Sequence, residues 1–321
     1  MAPRQECGGV CPASMAALRT SIPRDGSMRN SRRCPPSSRV TRTFRPEGIE
    51  LLLVIWVTVR PVSDFRERYG DWALVAGASE GLGAAFAEQI AERGMNVLLL
   101  ARREELLAEL AGRLNADYGI EARWQVLDLS DPDPAARLEA VCGDISPGLL
   151  VYNAALIPTG PFVEMTQDTL ERIARVNVLG PLTFIRALID PMRSRGRGAV
   201  VLMSSMSGIQ GWPRIAAYAA TKAFNTTLGE ALWYELGEEG IDVVVSCPAA
   251  ISTPAYFRNF GRRVPGMLTP ETVARATLDA LGKGPKVVPG LINRIGWQVM
   301  TRLLPRKPLI RAMGRTMKKV V

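Results

Sequence analysis

From position 71 the chain alternates between short apolar runs and longer stretches in which apolar residues return every three or four positions. Short runs of Val, Leu, Ile and Ala read as strands buried on both faces, and the slower recurrence reads as amphipathic helix. The pattern predicts strands over 73–76, 96–101, 123–127, 149–153, 198–204 and 242–247. Between and after them it predicts helices over 82–93, through 114, around 134–141, over 169–192, over 218–239 and near 270–281. Helical crossovers return the chain to the same end of the sheet, so successive strands run parallel. With right-handed connections the expected fold class is α/β, a doubly wound parallel sheet in a three-layer αβα sandwich. No solenoid-length repeat interrupts the alternation.

The ends of the chain lack this pattern. Residues 1–46 are rich in Arg, Ser and Pro, and cannot bury enough apolar surface to order themselves. Residues 1–62 are therefore expected to be an extension: disordered, a targeting peptide, or translation from an upstream start. The disordered or spurious reading is preferred. The apolar run at 51–59 is shorter than the roughly 20 residues a membrane-spanning helix needs. Residues 63–288 are expected to form the folded domain, and 289–321 a basic amphipathic helical tail.

Charge follows the same division. Residues 1–60 hold ten Arg and four acids, and residues 283–321 hold ten Lys or Arg and no acid. The body between them is acidic, so the overall charge of +9 is no nucleic-acid footprint, and no nucleic-acid partner is expected. His is absent, which excludes Ser-His-Asp hydrolysis and His-ligated metal sites, and no metal is expected. The five Cys form no CxxC or paired framework, which fits a reducing, cytoplasmic setting.

The first predicted strand runs into Gly77-Ala78-Ser79-Glu80-Gly81-Leu82-Gly83 at the start of a helix. Glycines permit the sharp turn and a close backbone approach, and the free N–H groups of a helix start hold a phosphate. A strand, a glycine turn and a helix in one βαβ unit point to a dinucleotide in a Rossmann-type fold. The plain alternative is a tight turn with no ligand. The Gly-x3-Gly-x-Gly spacing resembles the classical short-chain dehydrogenase/reductase family, and the resemblance spans about 71–281.

That resemblance implies cofactor contacts at Gly77, Ser79, Glu80, Gly81, Leu82 and Gly83, and an acid near the adenine at Asp128, with Leu129 beside it. It further implies Asn153, Ala154 and Ala155 after the fourth strand, and Pro248, Ile251 and Thr253 after the sixth. The chain departs from the family pattern at Ala76 (usually Thr, whose lost hydroxyl costs the turn one hydrogen bond). It also departs at Tyr152 (usually Asn), Ala155 (usually Gly) and Ala249 (usually Gly). The residue about 20 positions beyond the turn selects the dinucleotide: an acid binds the ribose of NAD, an Arg the 2′-phosphate of NADP. The second strand ends in Arg102-Arg103, so NADP (NADPH) is expected over NAD, with Arg102 on the phosphate. Glu80 is a mild counter-signal, because some NADP-using relatives place a base there.

Tyr218 and Lys222 lie four apart at a predicted helix start, on one face and one turn apart. A phenol with a pKa of about 10 ionises poorly at neutral pH, and a neighbouring ammonium lowers that value. Tyr218 is then a general acid/base for a carbonyl or alcohol oxygen. Ser205…Tyr218-Ala219-Ala220-Thr221-Lys222 resembles the family's catalytic signature. The resemblance implies Ser205 on the substrate oxygen, Tyr218 and Lys222 also on the cofactor ribose, and Asn177 supporting a water beside Lys222. Ser204 and Ser207 are alternatives to Ser205.

Tyr256, Phe257 and Phe260 with Arg258, Arg262 and Arg263 occupy the segment where relatives carry a substrate lid, suggesting a lipophilic ketone, steroid-like or ketoacyl substrate. Residues 291–319 place Ile292, Ile295, Val299 and Leu303 at helical spacing among cations, a pattern open to peripheral membrane contact or to packing. The family's habit implies a homodimer or homotetramer. The expected function is NADP(H)-dependent carbonyl/secondary alcohol interconversion. The alternative is a non-catalytic NADP-binding regulatory or scaffold protein, with or without peripheral membrane attachment.

Overall fold

The computed structural model describes residues 63–131 and 134–318. The predicted extension over 1–62, including the apolar run at 51–59, lies outside the described residues. Seven strands form one sheet: β1 (Trp72–Ala76), β2 (Asn96–Ala101), β3 (Ala122–Val126), β4 (Leu149–Tyr152), β5 (Gly198–Met203), β6 (Ile241–Ser246) and β7 (Lys286–Val287). Their order is β3-β2-β1-β4-β5-β6-β7, and all neighbours are parallel. The helices are α1 (Ser63–Tyr69), α2 (Gly81–Ala91), α3 (Glu104–Tyr118), α4 (Pro134–Cys142), α5 (Gln167–Ala174), α6 (Gly180–Arg195), α7 (Ala216–Gly237), α8 (Pro254–Phe260), α9 (Pro270–Leu278), α10 (Leu291–Arg302) and α11 (Arg306–Met317).

Alternation along each strand builds two cores. Val75, Leu99 and Val201 face one way and pack with Phe86 and Ile90 of α2, Leu107 of α3 and Val273 of α9. Leu74, Leu100 and Leu202 face the other way and pack with Leu138 of α4, Phe184 of α6 and Leu236 of α7. Strands covered on both faces must be apolar throughout, which is why they were legible as continuous runs. The winding reverses between β1 and β4, leaving a crevice at the C-terminal ends of those strands.

Several elements differ from the sequence expectation, among them the short helices α1 and α8, which it did not predict. The helix expected over 169–192 is α5 and α6 joined by a π turn, Arg175–Leu179. One inserted residue shifts the apolar periodicity too little to register over a stretch this long. The two-residue β7 is below the length of any pattern. The tail expected over 289–321 as one helix is two, separated at Pro305. It folds back on the body: Trp297 and Met300 of α10 join the second core, and Leu309 and Met317 of α11 are buried. Asn293 pins α10 by donating to Gly266 O at 3.0 Å and Pro289 O at 3.2 Å. Among the described residues no helix is long and apolar enough to cross a membrane.

Candidate active site

The glycine turn leaves β1 with Gly77 at φ 82° and Gly81 at φ 59°, conformations that favour glycine. A Cβ on Gly77 would lie 2.8 Å from the Ala154 backbone, and one on Gly83 2.0 Å from Gly77 O. Gly83 is thus the close-packing glycine behind the turn. Gly77 N–H donates to Leu100 O at 2.7 Å, and Asn153 Nδ2 donates to Gly77 O at 2.9 Å. These bonds tie the turn to β2 and β4 without a hydroxyl at Ala76.

At the N-terminus of α2, Glu80 makes no side-chain capping bond, and no acid stands in the first turn. The leading N–H groups are therefore left for an anion. The Glu80 carboxylate is bonded to Arg258 and ion-paired with Arg103 at 3.0 Å. The Arg258 bond, and after it Arg103, holds that carboxyl below its usual range against the opposing effect of burial. The counter-signal at Glu80 is thereby neutralised by two guanidinium groups.

Arg102 is half exposed at the end of β2, with Nη1 3.9 Å from Asp128 Oδ2. Arg103 donates to Ser79 Oγ at 2.8 Å and also lines the cleft. The sequence reading passed over Arg103, although the paired arginines were its signal. Asp128 accepts from Ser130 N at 2.9 Å and Ser130 Oγ at 2.8 Å. Burial works to raise its carboxyl, but those bonds and Arg102 prevail and leave it below the usual range.

A single cleft of about 1620 Å³ is lined by Gly77, Ser79, Glu80, Gly81, Leu82, Arg102, Asp128, Leu129, Asn153, Ala154 and Ala155, and also by Ser205, Tyr218, Lys222, Pro248, Ile251 and Thr253. Of the expected site residues only Gly83 and Asn177 stand outside it. Asn177 is fully buried in the π turn, and its side chain is bonded to Leu156 and Thr221. Its side chain braces the loop after β4 against α7.

Tyr218 and Lys222 lie in the first two turns of α7. Lys222 Nζ donates to Met203 O at 2.7 Å and sits 5.5 Å from the centre of the Tyr218 ring. Burial pushes the Tyr218 phenol up to about 12, with a hydrogen bond to Ser205 pulling the other way. Burial also pushes Lys222 down to about 8. The direction is opposite to the expected lowering, because burial outweighs the Ser205 bond and Lys222 is bonded to a backbone carbonyl instead of the hydroxyl. Ser205 caps a 3-10 turn, Met206–Ile209, accepting from Ser207 N at 3.2 Å. Ser204 instead donates to Lys222 O at 2.7 Å, and Ser207 donates to Ser205 Oγ at 3.0 Å. Of the three serines only Ser205 is hydrogen-bonded to Tyr218.

The rest of the cleft combines an apolar wall with cations, among them Arg172, Arg262 and Arg263. Leu156, Ile157, Trp212 and Ile215 come from loops, Tyr256 and Phe260 from α8, and Met313 and Met317 from α11. Nothing in the sequence signalled the α11 residues, which lie far from the motifs along the chain. Arg214, just before α7, has φ 67°, the only positive value outside glycine among the described residues. Such strain, of order 1–3 kcal/mol, gathers at working sites.

The short chain dehydrogenase family profile matches residues 71–260. The chain is a short chain dehydrogenase. A 7beta-hydroxysteroid dehydrogenase of Clostridium sardiniense is 35% identical over 234 residues, covering 72% of this chain and 90% of that protein. A solved 7beta-hydroxysteroid dehydrogenase is 34% identical with a TM-score of 0.72, covering 78% of this chain and 99% of that one. A short-chain dehydrogenase from Sphingobium yanoikuyae, solved in complex with NADPH, is 29% identical with a TM-score of 0.65, covering 78% and 96%. This short chain dehydrogenase is accordingly an oxidoreductase that interconverts carbonyl and alcohol groups.

Proposed function

We propose that this short chain dehydrogenase is an NADPH-dependent reductase of a bulky lipophilic ketone, with Tyr218 as proton donor. The observation that carries the reading is that Tyr218, Lys222 and Ser205 line one large cleft with the glycine turn, and that Leu156, Ile157, Trp212, Phe260, Met313 and Met317 form an apolar part of its wall. A dinucleotide fits the residues present: the glycine turn admits no Cβ at Gly77, the α2 N-terminus is uncapped, and Arg102 and Arg103 stand at the end of β2. When bound, the dinucleotide supplies the hydride. The turn from Gly77 to Leu82 holds its diphosphate, Arg102 and Arg103 its 2′-phosphate, and Asp128 and Leu129 border its adenine. Asn153, Ala154, Ala155, Pro248, Ile251 and Thr253 border the nicotinamide end. Tyr218 gives its hydroxyl proton to the ketone oxygen while Ser205 donates a hydrogen bond to that atom. Lys222 holds the ribose and returns a proton to Tyr218. The steroid-active relatives support the bulky, lipophilic substrate class.

Fluorescence titration with NADPH and NADH tests the cofactor. Losing one charge-assisted contact in Arg102→Ala or Arg103→Ala should weaken NADPH about 10- to 100-fold and leave NADH unchanged. Equal binding of both dinucleotides by the wild type would overturn the assignment. A panel of steroid and small ketones with NADPH then tests the reaction.

We further propose a homodimer or homotetramer, supported by exposed Leu179, Leu182, Trp233 and Tyr234 on the α6 and α7 side. Peripheral contact with an anionic membrane is proposed for α10, which, with Leu303 just after it, exposes Leu291, Ile292 and Ile295 beside Arg294 and Arg302. Light scattering tests the assembly. Sedimentation with anionic and neutral vesicles tests the contact, and equal recovery from both would remove it.

A further inference from the structure

The π turn between α5 and α6 carries Asn177, and its geometry depends on residues outside the reacting groups. In this turn the Gly180 N–H reaches Arg175 O, five residues back. The next donor in that register is residue 181, and Pro181 has no N–H. A buried carbonyl without a donor is costly. The Val176 carbonyl accepts instead from the Tyr152 hydroxyl at 2.7 Å. Tyr152 is 1% exposed and packs edge-on against Phe184 at 5.3 Å. Gly180 makes room for that hydroxyl, since a Cβ there would lie 1.9 Å from it.

One residue beyond Val176, the Asn177 side chain is fully committed. Its Oδ1 accepts from Leu156 N at 2.8 Å, and its Nδ2 donates to Leu156 O at 3.0 Å and Thr221 Oγ1 at 3.1 Å. Thr221 Oγ1 in turn donates to Tyr218 O at 2.8 Å. A chain of bonds thus runs from the end of β4, through the π turn, to the cleft loop at Leu156 and the first turn of α7. The sequence marked Tyr152 only as a departure from the family pattern.

We infer that Tyr152 is a positioning residue for the proton-transfer pair, its hydroxyl standing in for the N–H that Pro181 lacks and so holding Asn177 between Leu156 and Thr221. The inference rests on the reading that Tyr218 and Lys222 carry proton transfer, whereas the bond chain itself does not.

The test compares the full chain with Tyr152→Phe, Pro181→Ala and the double variant. Pro181→Ala restores an N–H five residues beyond Val176, so the double variant regains a donor by a different route. Loss of one buried bond in Tyr152→Phe should lower kcat about tenfold while KM and NADPH affinity stay within about twofold. The Leu156 amide, held by Asn177, should exchange its hydrogen about tenfold faster. Both effects should largely disappear in the double variant, and Pro181→Ala alone should resemble wild type. Wild-type kcat and wild-type exchange in Tyr152→Phe, or a double variant no better than Tyr152→Phe, would overturn the inference. A wild type that turns over no ketone in the panel defeats the proposed function, and the Leu156 exchange pattern then decides the positioning role alone.

Discussion

Arg258 of α8 is hydrogen-bonded to Glu80 of the phosphate turn, so the lid and the dinucleotide turn are joined across the cleft mouth. Thr253 caps α8, accepting from Tyr256 N at 3.1 Å, and packs where a Cβ on Gly81 would lie 3.0 Å from it. The pair is partly exposed, and pairs of that kind contribute about 0–1 kcal/mol. Arg258→Ala should therefore speed NADPH release by no more than about fivefold, with less effect at high salt. The Glu80 carboxyl is held below its usual range, so the pair persists above the ordinary carboxylate pKa and is lost as pH falls through the lowered one. Stopped-flow release should accelerate in acid for the wild type more than for Arg258→Ala; parallel pH profiles would separate the pair from lid closure.

Tyr218→Phe removes the hydroxyl that is bonded to Ser205 and leaves the ring in place. Turnover of any ketone substrate should fall by about 10²- to 10⁴-fold while NADPH binding is kept. Single-turnover NADPH oxidation measures this. Retained turnover would transfer the proton-donor role to another group.

Lys222 is buried and pushed down to about 8, so folding carries a cost while it stays charged. Between that value and 10.5 the unfolded chain binds the extra proton, and stability on account of this group rises with pH. Lys222→Met should be more stable than wild type near pH 7, by at most about 3 kcal/mol, less the lost bond to Met203 O. The difference should shrink as pH rises past 8. Paired urea melts at pH 7 and pH 9.5 check it; a difference constant in pH would mean that Lys222 stays charged in the folded protein just as in the unfolded chain, with no lowering by burial.

Met313 and Met317 bring the C-terminal helix into the cleft wall. Shortening both to Ala should raise KM for a steroid ketone about tenfold, from about 1.4 kcal/mol of lost apolar contact, and leave KM for a small ketone unchanged. Steady-state kinetics with the two substrates separates the cases. Equal changes for both would show that α11 supports the fold and not the substrate.

The strands and the glycine turn were legible because their signals are local. A strand buried on both faces is an apolar run, and a turn that must admit a phosphate cannot tolerate side chains at Gly77 and Gly81. The spacing of Tyr218 and Lys222 is likewise local, one turn of α7. Asn177 was found by resemblance, but its partners were not. Its bonds run to Leu156 and Thr221, which are distant in the chain and unremarkable as residue types.

The sequence alone determined the order of strands and helices, the glycine turn and the one-turn spacing of Tyr218 and Lys222, since each depends on neighbours within one element. Tertiary structure decided the rest. Folding set α11 against the cleft, joined Arg258 to Glu80, and let the Tyr152 hydroxyl complete the turn that Pro181 leaves short of a donor. It also buried Tyr218, which raises the phenol, and bonded Lys222 to Met203. Burial, and contact between residues remote in the chain, exist only once the sheet has brought them together.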